Sequence, residues 1–91
     1  MKTTVEFLDE ISSRSDGISD YAIAKQLGIT RQSVSNYRTG KSHFDETTAY
    51  KAAKLLDLEP AYVLACSQAE RAKTPEIQAV WKSVAERIRI M

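Results

Sequence analysis

The side chains best suited to binding a ligand are concentrated in residues 31–39, whose sequence is RQSVSNYRT. At 100° per residue, a helix over this segment would turn Val34 and Tyr37 towards the interior. Its opposite face would carry amide, hydroxyl and guanidinium groups and no carboxylate. These are the groups that bind base edges and phosphates, whereas a merely solvated face usually carries lysine and glutamate. The composition therefore favours a nucleic-acid ligand. The outward or edge positions are Arg31, Gln32, Ser35, Asn36, Arg38 and Thr39.

The segment that must position this face is a second short helix just before it. Only residues 28–30, of sequence GIT, separate the two predicted helices, so the helices must cross steeply. Ala24 is small where they would approach most closely, and Gly28 suits the left-handed turn that ends the first helix. This spacing is typical of a helix-turn-helix. Two helices of an ordinary bundle could be joined in the same way, and the outward face of the second helix favours the nucleic-acid interpretation.

Apolar residues recur at helical spacing through nearly the whole chain, and no stretch has the period-two alternation of a strand. The sequence therefore predicts an all-α protein. Five helices form a domain over residues 1–72, and a sixth helix lies in an extension over residues 73–91. In the first helix, Val5, Leu8 and Ile11 are expected to form the inward face. The predicted helices are Thr4–Arg14, Asp20–Leu27, Arg31–Thr39, Asp45–Leu56, one beginning at Pro60 and one beginning at Thr74 and Pro75.

The small size and the residue inventory exclude several classes of function. Ninety-one residues allow one domain with a short appendage. A single cysteine, Cys66, and a single histidine, His43, allow neither an internal disulfide nor a zinc site of four side chains. There is no glycine-rich phosphate loop and no nucleophile with a recognisable base, so we expect neither an enzyme nor a cofactor or metal. Without a signal peptide or an apolar run long enough to cross a bilayer, the protein is predicted to be cytoplasmic, with no membrane partner.

The formal net charge is only +1, but the charges are unevenly distributed. Residues 21–54 contain six basic and two acidic residues, whereas residues 1–20 contain two basic and five acidic ones. A basic middle beside acidic flanks is what an anionic ligand requires, although an imbalance of this size is also common by chance.

The segment 19–41, SDYAIAKQLGITRQSVSNYRTGK, resembles the signature of the helix-turn-helix DNA-binding family typified by lambda repressor and Cro. Residues 52–65, AAKLLDLEPAYVLA, are similar to that family's closing segment. The resemblance covers about residues 4–66. It implies a five-helix, lambda-repressor-like domain whose third helix enters the major groove of double-stranded DNA.

The resemblance also implies roles for individual side chains. Arg31, Gln32 and Asn36 are expected to read base edges, and Ser35 is expected to face either a base or the backbone. Asp20 departs from the family pattern, which often has glutamine near this position, and an acid there would repel phosphate. The residues expected along the sugar-phosphate backbone are Ser19, Thr30, Ser33, Arg38, Thr39, Lys41, Ser42 and His43.

These features predict a sequence-specific transcriptional regulator, a repressor of phage or mobile-element type that binds a palindromic operator as a homodimer. Domains of this kind need two copies to span half-sites about 34 Å apart. The alternative is an antitoxin whose C-terminal helix also binds a toxin. The sixth helix either packs on its own core or forms the dimer seam. Its apolar face comprises Ile77, Val80, Trp81, Val84 and Ile88.

Overall fold

A computed structural model describes residues 1–90, and within them the chain forms six α-helices and no strand. The all-α prediction is confirmed. Met91, the last residue of the predicted extension, lies outside the described residues. The helices are α1 (Thr4–Arg14), α2 (Asp20–Leu27), α3 (Arg31–Arg38), α4 (Glu46–Leu56), α5 (Pro60–Arg71) and α6 (Pro75–Arg89).

Local capping interactions explain why the helices begin and end where they do. Thr3 and Glu6 form a capping box at α1, in which each side chain accepts from the other residue's backbone N–H. The sequence predicts that Thr39 belongs to α3 and Asp45 to α4. In the structure Thr39 is the C-cap of α3 and Asp45 is the N-cap of α4, so each lies one residue outside its helix. Gly28 ends α2 in the left-handed conformation, with a φ of 68°. The other predicted boundaries agree with the structure.

Aromatic rings join α1, α3 and α5 in the core. Phe44, from the loop between α3 and α4, is almost completely buried. Its ring centroid lies 5.2 Å from that of Tyr37 in α3, edge to face, and 6.3 Å from that of Phe7 in α1, stacked. Phe7 in turn meets Tyr62 of α5 edge to face at 6.3 Å. The loop residue Phe44 is therefore one of the links between the third helix and the rest of the domain.

The inward face of α1 differs from the predicted one. Leu8 and Ile11 are buried as expected, but Val5 is only half-buried. Thr4 and Phe7 are buried instead. Compared with the predicted orientation, α1 is rotated about its axis so that the large aromatic side chain of Phe7 reaches the ring cluster. The expectation for Val5 was therefore wrong.

A buried polar network fixes the loop that follows α3. The Glu70 carboxylate of α5 accepts hydrogen bonds from the Thr4 backbone N–H at 2.9 Å and from the Thr4 hydroxyl at 2.6 Å. The same hydroxyl oxygen accepts from the Phe44 backbone N–H at 3.1 Å. Ser67 donates to the Phe44 carbonyl. Because both polar groups of the Phe44 backbone are satisfied by neighbouring helices, the loop is tied to α1 and α5.

The sixth helix packs on the domain through one side only. Ala85 is fully buried, and Trp81, Val84 and Ile88 lie partly buried against the core. The Gln78 amide donates to the Ala69 carbonyl of α5 at 3.2 Å. Within residues 1–90, no helix combines the length and apolar character that crossing a membrane would require.

Candidate nucleic-acid interface

The turn between α2 and α3 sets the orientation of the third helix. The Gly28 N–H donates to the Lys25 carbonyl at 3.2 Å, and the Ile29 N–H donates to the Ala24 carbonyl at 3.0 Å. Val34 of α3 is completely buried, and Tyr37 is nearly so. Since one side of α3 is fixed in the core, the opposite side is held at the surface as a rigid face.

The amides on this outward face are paired with each other. Gln32 is exposed and Asn36 is half-buried, one helical turn apart. The Gln32 Nε2 donates to Asn36 Oδ1 at 3.0 Å. This hydrogen bond leaves Gln32 Oε1 as an acceptor and Asn36 Nδ2 as a donor. One acceptor and one donor side by side match the N6 and N7 edge of adenine in the major groove.

Arg31 is supported by an aromatic ring that the sequence did not single out. The Arg31 guanidinium lies 5.2 Å from the centroid of the half-exposed Tyr21 ring, and Lys25 Nζ lies 4.8 Å from it. Cation–π contacts of this kind orient a side chain without neutralising its charge. The i, i+4 spacing of Tyr21 and Lys25 was the available signal for this cluster. A concave surface at the crossing of α2 and α3 is lined by Ser19, Asp20, Tyr21, Arg31, Gln32 and Ser35.

Arg38, at the end of α3, is held by two carboxylates. Its Nε and Nη2 donate to Asp20 of α2 at 3.0–3.3 Å, and its Nη1 donates to Asp9 of α1 at 2.5 Å. Hydrogen bonding to Asp20, reinforced by Asp9, raises the pKa of the Arg38 guanidinium above its usual value. Asp20 is therefore paired with Arg38, a residue that the sequence predicts to contact a phosphate.

Several predicted phosphate-binding hydroxyls also act as helix caps. Ser19 Oγ accepts from the Ala22 N–H at 3.2 Å, and Thr30 Oγ1 accepts from the Ser33 N–H at 3.0 Å. The Thr39 hydroxyl donates to the Ser35 carbonyl at 3.2 Å. As a cap acceptor, the Ser19 hydroxyl retains its own proton for donation to a ligand.

The loop after α3 places its three predicted contact residues differently. Lys41 is exposed, next to Gly40, which adopts a φ of 79°. Ser42 is half-buried. His43 Nδ1 lies 3.3 Å from Glu70 Oε2, so the ring is directed to the largely buried carboxylate that anchors the loop. Of the three, Lys41 is the residue placed for an anionic ligand.

The remaining chemistry of the described chain is limited. Among residues 1–90, no group of three or more His, Cys, Asp or Glu side chains is arranged to hold a metal ion. Cys66 is completely buried, and burial raises the pKa of its thiol. A thiol in these surroundings is an inert apolar filler at a helix contact.

Comparison with known proteins agrees with this geometry. The helix-turn-helix family model matches residues 15–63, which include all of α2, α3 and α4. A second model, described as a phage-related protein, matches residues 65–88 in α5 and α6. The chain therefore belongs to the helix-turn-helix family and is a DNA-binding regulator of the lambda-repressor-like type, as its sequence predicted.

A relative from a phage matches nearly the whole chain. It is the uncharacterized protein Gp-c of Pseudoalteromonas phage PM2, which is 38% identical over 88 residues. The alignment covers 91% of this chain and 96% of the relative, so it extends well beyond the helix-turn-helix. No solved structure matches the chain.

Proposed function

We propose that the protein is a sequence-specific transcriptional repressor that inserts α3 into the major groove of double-stranded operator DNA. The observation that carries this proposal is the acid-free outward face of α3. There the paired amides of Gln32 and Asn36 lie beside Arg31, and Arg31 is supported by Tyr21. A rigid helix with this chemistry can discriminate base edges. Occupancy of an operator is sufficient for repression, and the phage relative supports a role in a phage or mobile element.

We also propose that Lys41 contacts a phosphate of the DNA backbone. Replacing Lys41 with alanine should weaken binding to all duplexes about equally and reduce the slope of log K against log salt by about one. The measurement is a fluorescence-anisotropy titration at several salt concentrations. The matched control is Lys73→Ala, since Lys73 is also exposed but lies between α5 and α6. An unchanged slope for the Lys41 variant, or an equal change for the Lys73 variant, would remove Lys41 from the interface.

The proposal also includes a homodimer that uses the outer side of α6. Ile77 and Val80 remain 51% and 56% exposed, which is unusual for two large apolar side chains on one helix. They continue a stripe that includes Val84, and Val84 lines a shallow apolar groove with Leu64 and Trp81. Burying this stripe against a second copy would remove apolar surface from water. It would also provide the two α3 helices that a palindromic site requires.

The dimer is tested by placing a charge on the exposed stripe. Val80→Asp should convert a dimer to a monomer in sedimentation equilibrium without changing the helical circular dichroism. Ala79→Asp is the matched control, because Ala79 is also exposed but lies about 100° from Val80 and about 160° from Ile77 around α6. It adds the same charge and should remain dimeric. A dimeric Val80 variant would exclude this seam, and a monomeric wild type would favour the antitoxin alternative, in which a toxin covers the stripe.

A further inference from the structure

The ion pairs of Arg38 occupy a position where the protein would be expected to attract DNA. Asp20 is the first residue of α2, and it lines the same concave surface as Arg31 and Gln32. The N-terminus of a helix favours anions, because its free N–H groups carry partial positive charge. In this protein the Asp20 carboxylate already occupies the N-terminus of α2.

The three side chains form one group with an excess of negative charge. Arg38 contributes one positive charge, whereas Asp9 and Asp20 contribute two negative charges, and they come from three different helices. The Arg38 side chain is 28% exposed, and Asp9 and Asp20 are 63% and 50% exposed. Ion pairs with this exposure are weak, so a phosphate can replace a carboxylate as the partner of Arg38. The replacement leaves both carboxylates unpaired close to the DNA.

We propose that Asp20 and Asp9 withhold Arg38 from phosphate, so that this acidic pair lowers the affinity of the protein for DNA of arbitrary sequence. The inference rests on the proposed function. Non-specific affinity depends almost entirely on the number of phosphates neutralised, and a sequestered arginine does not neutralise one. A specific site adds base contacts from α3 that can offset the loss of the carboxylate pairs. Asp20 and Asp9 are then specificity determinants, although neither reads a base.

The test is a double-mutant cycle measured on a duplex of scrambled sequence. Asp20→Asn removes one charge and retains hydrogen-bonding capacity. The Asp20 variant should bind this duplex on the order of tenfold more tightly at low salt, with the salt slope steeper by about one. In an Arg38→Gln background the same substitution should give little gain, because the gain requires an arginine that Asp9 alone holds less strongly. Asp57→Asn is the charge-matched control, at the end of α4, where the left-handed backbone tolerates asparagine.

The outcomes separate this inference from the proposed function. A gain that persists in the Arg38→Gln background would mean that Asp20 acts only by repelling DNA, and the inference would be overturned. A wild type that binds DNA, with no gain from Asp20→Asn, would also overturn the inference and leave the proposed function intact. A wild type that binds no duplex would reject both. Thermal unfolding of each variant checks that the fold is retained.

Discussion

Replacement of Phe44 by alanine is expected to lower the free energy of unfolding by about 3–5 kcal/mol. The whole domain should be stable by only about 5–14 kcal/mol, on the usual range per residue for a chain of this length. The effect is large because Phe44 is only 1% exposed and contacts rings in two different helices. One of those rings belongs to Tyr37, so the loss also weakens the packing of α3 on the core. DNA binding should weaken together with stability.

Urea unfolding followed by circular dichroism measures this change. The matched control is Tyr50→Ala, which removes an aromatic ring that is 49% exposed. Its expected cost is less than about 1 kcal/mol, because about half of the side chain is already exposed and its cation–π partner, Lys54, is also an exposed residue. If the Phe44 variant were no less stable than the Tyr50 variant, the ring cluster would not be an important link between α3 and the core.

Replacement of Gln32 by alanine should relax the sequence preference at one base pair by about 1–3 kcal/mol, leaving non-specific binding nearly unchanged. The reason lies in the amide pair, in which Gln32 both supplies an acceptor and orients Asn36 through their 3.0 Å hydrogen bond. The substitution changes no charge. It should therefore leave the salt slope unchanged, in contrast to the loss of Lys41.

Competition between duplexes that differ at single base pairs measures the effect. Gln26→Ala is the matched control, because Gln26 is an exposed residue of α2 outside the concave surface. It should leave every preference intact. If the Gln32 variant kept the full discrimination of the wild type at every position, Gln32 would not be a base reader.

The helices could be predicted from the sequence because their signals are local. A cap and its partner are three residues apart, as in Thr3 and Glu6, and the turn at Gly28 depends on the conformational freedom of one residue. The outward face of α3 followed from a single helical period and the positions of Val34 and Tyr37. Boundaries were therefore predicted to within one residue at Thr39 and Asp45.

The interactions that position the site were not predictable in the same way. Phe44 lies in a loop, where there is no periodicity to mark it as the centre of the core. Arg38 and Asp9 are 29 residues apart, and Thr4 and Glu70 are 66 apart, so their contacts depend on how helices pack. The charges of Asp20 and Arg38 were visible in the sequence, but their mutual pairing requires the crossing of α2 and α3 to be known.

The proposed function requires α3 to read base pairs in double-stranded DNA. Selection of bound duplexes from a random-sequence pool, with sequencing after successive rounds, is the experiment that measures this. We expect enrichment of one motif made of two inverted half-sites about one helical turn apart. We also expect the motif to be lost for a triple alanine variant of Arg31, Gln32 and Asn36. A pool that stays unenriched with the folded wild type, or the same motif from the triple variant, would contradict the claim.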